Sequence, residues 1–199
     1  MTMRLITVKP SHVAGLRIIY SLVWLAYNSL EDREPLKGNT VGSRSSIEKA
    51  YIAGFLDGDG SIMLQIKKRS DTGRGLRFMA TICFYQDTRH EKPLFWIREV
   101  LGIGYISRRS DSMSELRING FAAVRKILQE LQPHIRFKAT QTAALIRACI
   151  ILEKTKVNKL SNKQLLELVN LILIIQNENY VTRHKRTREE LLYVLGLTP

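Results

Sequence analysis

Two carboxylates close the apolar stretch at residues 52–61, which reads IAGFLDGDGS. Asp57 and Asp59 alternate there with Gly58 and Gly60, in a chain whose formal net charge is +13. If the stretch is helical, both acids sit at its C-terminal end, where the partial negative charge of the helix dipole disfavours an anion. A cation lying against the acids offsets that cost. Mg²⁺ is the natural candidate, a hard ion bound by oxygen that shares its coordination shell with phosphate. The sequence offers no rival metal centre. Cys83 and Cys149 are far apart, and the four histidines include no pair at helical spacing, which argues against structural zinc.

The elements that must place these acids follow from the flanking pattern. Ser45 with Glu48 three residues on reads as a capping box opening a helix. The helix is expected to run to about Asp57, with Gly58 and Gly60 ending it because glycine readily takes the backbone angles that stop helices. Ala50, Gly54 and Gly58, spaced by four, share one face, and small residues at that spacing let two helices approach closely. From Ser61 the period becomes two. Ile62, Leu64 and Ile66 face one side; Met63, Gln65, Lys67 and Arg69 face the other. After a turn in SDTGRG, Phe78, Ala80, Ile82 and Phe84 share the apolar side, and Arg77, Met79, Thr81, Cys83 and Tyr85 the polar one. A helix with Pro93 in its first turn and Gly102 at its end follows. A second hairpin then carries Ser107, Arg109, Glu115 and Arg117 on its polar face. Helices are expected at about 121–131, at 138–154, from near 161, and at the C-terminus. The order from 45 to 154 predicts an α+β layer: four strands, helices on one face, and a basic open face.

The bulk composition agrees. The chain has 199 residues, 45% of them hydrophobic, with 31 Lys and Arg against 18 Asp and Glu and a pI near 10.0. That is a globular composition with a surface that favours polyanions, nucleic acid first. Residues 1–44 read as an N-terminal extension with an apolar helix at 12–27 and a Gly/Ser/Pro-rich linker, 45–154 as the core, and 155–199 as a C-terminal helical extension. The 12–27 segment carries Arg17 and is short for a membrane span, and no small-residue cleavage site follows it. A helix packed on the main domain is therefore expected, with no membrane role. The thiols suit a reducing interior, the cytoplasm, nucleoid or an organelle matrix, and not secretion. The basic run at 183–188 reads as a solvated patch or a phosphate contact.

The nonapeptide Ile52-Ala53-Gly54-Phe55-Leu56-Asp57-Gly58-Asp59-Gly60, followed at once by an alternating strand, closely resembles the signature of the LAGLIDADG homing endonucleases. Gln86 closing the second strand, GIGYISRR entering the third and LQPHIRFKATQTA after the second hairpin agree, so the resemblance covers about residues 45–154. It implies a saddle-shaped αββαββα fold whose sheet straddles the DNA major groove, with signature helices packed across a two-fold axis. A single signature implies a homodimer, with Ala50, Gly54 and Gly58 as its contact. The implied function is site-specific homing endonuclease action: double-strand breaks in a long, near-palindromic DNA by metal-dependent phosphodiester hydrolysis, from an intron-encoded protein.

The resemblance also implies roles. Asp59 is the metal ligand, its twin coming from the other subunit, with the Gly58 carbonyl as an additional ligand. Asp57 is read as helix-end structure, with direct ligation the lesser expectation. Gln86 orients water, Lys138 stabilises charge at the scissile phosphate, and His90 stands where a further basic pocket residue belongs. Mg²⁺ or Mn²⁺ is the implied cofactor, with Ca²⁺ binding without supporting cleavage. DNA readout falls to Met63, Gln65, Lys67, Arg69, Arg77, Thr81, Tyr85, Ser107, Arg109, Glu115 and Arg117, and phosphate contact to Lys68, Arg74 and the basic tail. The alternative on the same fold is a maturase-like splicing cofactor binding RNA, or a DNA-binding regulator without cleavage. The intact set of Asp59, Gln86 and Lys138 favours the nuclease. A membrane-surface protein anchored by 12–27 would leave the signature unexplained.

Overall fold

The computed structural model describes residues 45–69, 75–179 and 185–197, all within one unit, Arg44–Pro199. The expected helix at 12–27, its linker, the turn at 70–74 with Arg74, and the tail residues 180–184 lie outside the described residues. Helix α1 (Ser46–Asp59) opens on the expected capping box. The Glu48 N–H donates to the Ser45 hydroxyl at 3.1 Å, and the Ser45 N–H donates back to the Glu48 carboxylate at 3.0 Å.

Strand β1 (Gly60–Lys68) follows α1 with no intervening loop. The helix end corrects the expectation from sequence. Gly58 lies inside the last turn, and Gly60 has φ −101°, an ordinary extended backbone. What Gly60 supplies is room: a Cβ there would come within 2.5 Å of the Leu56 side chain and 2.7 Å of the Leu56 carbonyl oxygen. The chain passes straight from helix to strand because nothing projects from this position.

Strands β2 (Leu76–Asp87), β3 (Tyr105–Arg108) and β4 (Met113–Asn119) complete a four-stranded antiparallel sheet in the order β1-β2-β4-β3. The register pairs Ile62 with Ile82, Ile66 with Phe78, Ile82 with Ile118 and Phe84 with Leu116, so one face is continuously apolar and buried. Helices α2 (Lys92–Leu101), α3 (Phe121–Leu131), α4 (Ala139–Lys154), α5 (Asn162–Glu178) and α6 (Arg188–Val194) complete the fold. Pro93 sits in the first turn of α2 and Gly102 ends it in the left-handed region, φ 68°, as the sequence predicts. A single core cluster runs from Ile52 on α1 through the sheet to Leu191 and Leu195, so the last helices share the core of the others. This is the α+β class expected.

The free edge of β1 is tied to the C-terminal part of the chain. The Asn179 side-chain amide, at the end of α5, donates to the Ile62 carbonyl at 3.3 Å and accepts from the Gln141 amide at 3.0 Å. Among the described residues no helix is long and apolar enough to cross a membrane. Gly60→Ala is expected to destabilise the protein by about 1–3 kcal/mol through overpacking against Leu56, read as a lower urea midpoint at unchanged slope.

Candidate active site and nucleic-acid face

The two signature aspartates have different surroundings. Asp57 is buried, 7% exposed. Its carboxylate accepts three consecutive backbone N–H groups from the loop leading into α4: Arg136 at 2.6 Å, Phe137 at 3.2 Å and Lys138 at 3.0 Å. Lys138 returns the contact, its Nζ donating to the Asp57 carbonyl. The end of α1 and the start of α4 are thus stapled in both directions. Charge-assisted bonds of this kind are about twice as strong as neutral ones, and Lys138 places a cation at the negative end of the α1 dipole. Asp57 is helix-end structure, the first of the two expected readings.

Gly58 and Asp59, the next two residues, are exposed. Lys138 is half-buried, and burial pushes its ammonium below the ordinary lysine range, while the carboxylates of Asp57 and Asp59 pull the other way. Gln86 lies two residues beyond Phe84, the register partner of Gly60, so it reaches the same end of the sheet as Asp59. Its side-chain carbonyl accepts from the Asp87 N–H at 2.9 Å. His90 is exposed at the end of a short 3₁₀ turn, Thr88–His90. The loop around it is held by Glu91, whose carboxylate accepts from Arg108 and from the Ser114 hydroxyl; these bonds lower its pKa to about 2. Among the described residues no three His, Cys, Asp or Glu side chains converge on a point suited to a metal ion. What the described residues offer at this helix end is the exposed Asp59 carboxylate, a hard-oxygen donor type that fits Mg²⁺ and not a soft metal.

The open face of the sheet carries the residues that alternation placed there, with corrections. Lys67 and Arg77 are exposed register partners near the tip of the first hairpin, with Lys68 and Arg69 exposed beside them. Met63, Gln65 and Ser107 are part-exposed, and Arg109 is exposed with Asp111 as ion-pair partner at 2.9 Å. The centre of the face differs from the expectation of a basic surface. Thr81 is fully buried and donates to the Asn119 side chain at 2.7 Å, so it supports a neighbour and does not reach outward. Glu115, 6% exposed, is held by Arg117. Tyr85 shares a 3.1 Å hydrogen bond with Ser61, and burial pushes its phenol up to about 12. Two exposed aromatics escaped the sequence reading. Tyr105, 51% exposed, faces the open side opposite Arg117; its parity with Ser107 and Arg109 could have found it. Phe137, 85% exposed beside the Asp57 staple, lies in a loop with no periodicity to mark it.

Two hairpins joined through a β2–β4 centre, helices on one face, and a first helix ending in one exposed acid define an αββαββα core built around an acidic helix end. The chain belongs to the LAGLIDADG endonuclease family, whose sequence pattern matches residues 52–135. It is 31% identical over 107 residues to DNA endonuclease I-CvuI of Chlorella vulgaris, covering 54% of this chain and 66% of that one. It is 29% identical over 145 residues to DNA endonuclease I-CreI of Chlamydomonas reinhardtii, covering 73% and 86%. The crystal structure of I-CvuI in complex with its target, in the presence of calcium, superposes with a TM-score of 0.67 at 26% identity over 77% of this chain and 97% of that one. A second I-CvuI structure, on the I-CreI target with magnesium and uncleaved DNA, gives 0.61 at the same identity, over 78% and 98%.

Asp57→Asn retains the shape but removes the charge that three N–H groups share. It is expected to lower stability by about 1–3 kcal/mol, measured by urea unfolding. It is also expected to raise hydrogen exchange at the amides of Arg136, Phe137 and Lys138 above that of the rest of the core.

Proposed function

We propose that this protein is a site-specific DNA endonuclease that makes double-strand breaks in a long, near-palindromic target. It acts as a homodimer with a divalent cation, Mg²⁺ or Mn²⁺, and is encoded within an intron. The observation that carries the reading is one exposed acid, Asp59, ending a helix whose outer stripe is bare. Ile47, Ala50, Gly54 and Gly58 all lie exposed on α1, and a Cβ built at Gly54 or Gly58 would meet no other atom within 4 Å. A second copy of α1 crossing here would approach closely and bring two Asp59 carboxylates to one axis. Two like charges at two helix C-termini repel unless a cation lies between them. The relatives I-CvuI and I-CreI are DNA endonucleases, and I-CvuI has been solved on DNA with calcium and with magnesium.

In this reading Asp59, its counterpart from the second copy and the Gly58 carbonyl would hold the cation. When bound, the cation supplies activation of water and neutralisation of charge at the leaving 3′ oxygen. The chain's own residues do the rest. Lys138, fixed by its bond to the Asp57 carbonyl, presents positive charge beside the scissile phosphate. Gln86, anchored by its bond to the Asp87 N–H, orients water at the same end of the sheet. Lys67, Lys68, Arg69 and Arg77 neutralise backbone phosphates along the first hairpin.

Incubated with Mg²⁺ and DNA carrying the uninterrupted host gene, the wild type is expected to cut both strands. Asp59→Asn is expected to lose at least about 100-fold in rate while still binding the target in Ca²⁺. Tight binding by the wild type with no cleavage would return the non-cleaving regulator. Gly54→Leu is expected to convert a dimer to a monomer by sedimentation velocity and to abolish double-strand cleavage; a wild-type monomer that cuts both strands would break the dimer claim.

A further inference from the structure

The segment that follows β2 is clamped to the second hairpin by one glutamate. Glu91 stands at the capping position of α2, yet its side chain does not cap that helix. It turns to the hairpin instead. Oε2 accepts from Nε of Arg108 at 3.0 Å and from the Ser114 hydroxyl at 2.5 Å, and Oε1 accepts from Nη2 of Arg108. Arg108 is the last residue of β3, and Ser114, fully buried, is its register partner on β4. Because the Ser114 hydroxyl donates to the carboxylate, its oxygen is left to accept from the Thr88 hydroxyl at 3.0 Å. The Thr88 N–H donates to the Ser112 carbonyl in the hairpin turn at 2.9 Å. Thr88 is thus held by both its backbone and its side chain.

We propose that Glu91 is a positioning residue for strand cleavage: through Ser114, Thr88 and Arg108 it fixes the segment 88–91 and, with it, the placement of Gln86 at the catalytic end of the sheet. This rests on the endonuclease reading above and on the role that reading gives Gln86. Three observations direct the clamp to this segment and not to the elements it joins. α2 is already fixed by Leu94, Ile97 and Leu101, which are buried in the core. β4 is a central strand, paired on both sides. The segment 88–91, by contrast, has no buried residue, so polar contacts are what locate it. Gln86 is coupled to it twice. Its side-chain carbonyl accepts from the Asp87 N–H at 2.9 Å, and its register partner on β4 is Ser114 itself. A segment released at Glu91 therefore carries Gln86 out of place. A shift of about 1 Å in a group that orients a reactant is enough to cost roughly 100-fold in rate. The carboxylate pKa, about 2, keeps the anion and hence the clamp intact at neutral pH.

The test is single-turnover cleavage in Mg²⁺ of DNA carrying the uninterrupted host gene, together with equilibrium binding of the same DNA in Ca²⁺. The proteins compared are the wild type, Glu91→Gln, Ser114→Ala, Glu91→Arg, Arg108→Glu and the charge-swapped double variant Glu91→Arg/Arg108→Glu. Thermal unfolding and hydrogen exchange accompany each. Glu91→Gln and Ser114→Ala are expected to cut roughly ten- to hundred-fold more slowly at saturating DNA, with binding in Ca²⁺ unchanged. Exchange at the Thr88 amide should rise in both while that of the core strands does not. The double variant rebuilds the ion pair with its charges exchanged, and an arginine at position 91 can donate to Ser114, so it should cut faster than either of its single variants. A wild-type rate in Glu91→Gln would overturn the inference. A loss of rate matched by an equal loss of binding or of folded protein would make Glu91 a structural residue and overturn it too, as would a double variant no faster than the singles. A wild type that binds without cutting overturns the endonuclease reading itself and this inference with it, a distinguishable result because it appears before any substitution is made.

Discussion

The buried carboxylate of Asp57 is the contact on which the active end of this protein depends. It collects three backbone N–H groups from the start of α4 and receives Lys138 on its own carbonyl. The negative end of one helix is thereby set against the positive end of another, each supplying what the other's unsatisfied terminal groups require. The relative placement of α1, α4 and the strand that leaves α1 follows from that contact. With the first acid fully committed inward, only the second is left to face outward, and the lysine nearest it cannot swing away. One staple therefore fixes both the end of the helix that carries Asp59 and the position of the Lys138 ammonium.

A second division runs across the sheet. The centre of its open face is made of side chains that satisfy one another: Thr81 with Asn119, Ser61 with Tyr85, Glu115 with Arg117. The hairpin ends carry exposed cations. Long-range attraction to a polyanion comes from the periphery, where the charge is solvated. The centre, by contrast, is built of groups that already orient one another.

Much of this was legible in the sequence. Strict alternation at Ile62–Leu64–Ile66 and Phe78–Ala80–Ile82–Phe84 predicted the apolar face of the sheet, and the burial agrees residue by residue. Ser45 with Glu48 and Pro93 with Gly102 predicted helix ends from local chemistry that needs no tertiary context. The misreadings arose where distant residues decide. Glycine at position 60 reads as a helix breaker, yet its angles are ordinary and it is the neighbouring Leu56 that excludes a side chain. Thr81 and Glu115 lie on the open side as parity required, but parity says nothing of depth. Asn119, 38 residues from Thr81 in sequence, accepts its hydroxyl proton, and Glu115, 6% exposed, is paired with Arg117. The partners of Asp57 lie about 80 positions away, so its role could be named as structural from sequence while its contacts could not.

The Asn179 bond to the Ile62 carbonyl has a consequence beyond the local geometry. β1 is a nine-residue edge strand, long enough to template a strand from another molecule. The amide of Asn179 occupies one of its acceptors, α5 packs against the strand and α6 packs on α5. The C-terminal helices therefore guard against aggregation by strand addition. The colloidal behaviour of the folded chain rests on a region more than a hundred residues downstream of the helix end where the chemistry is set.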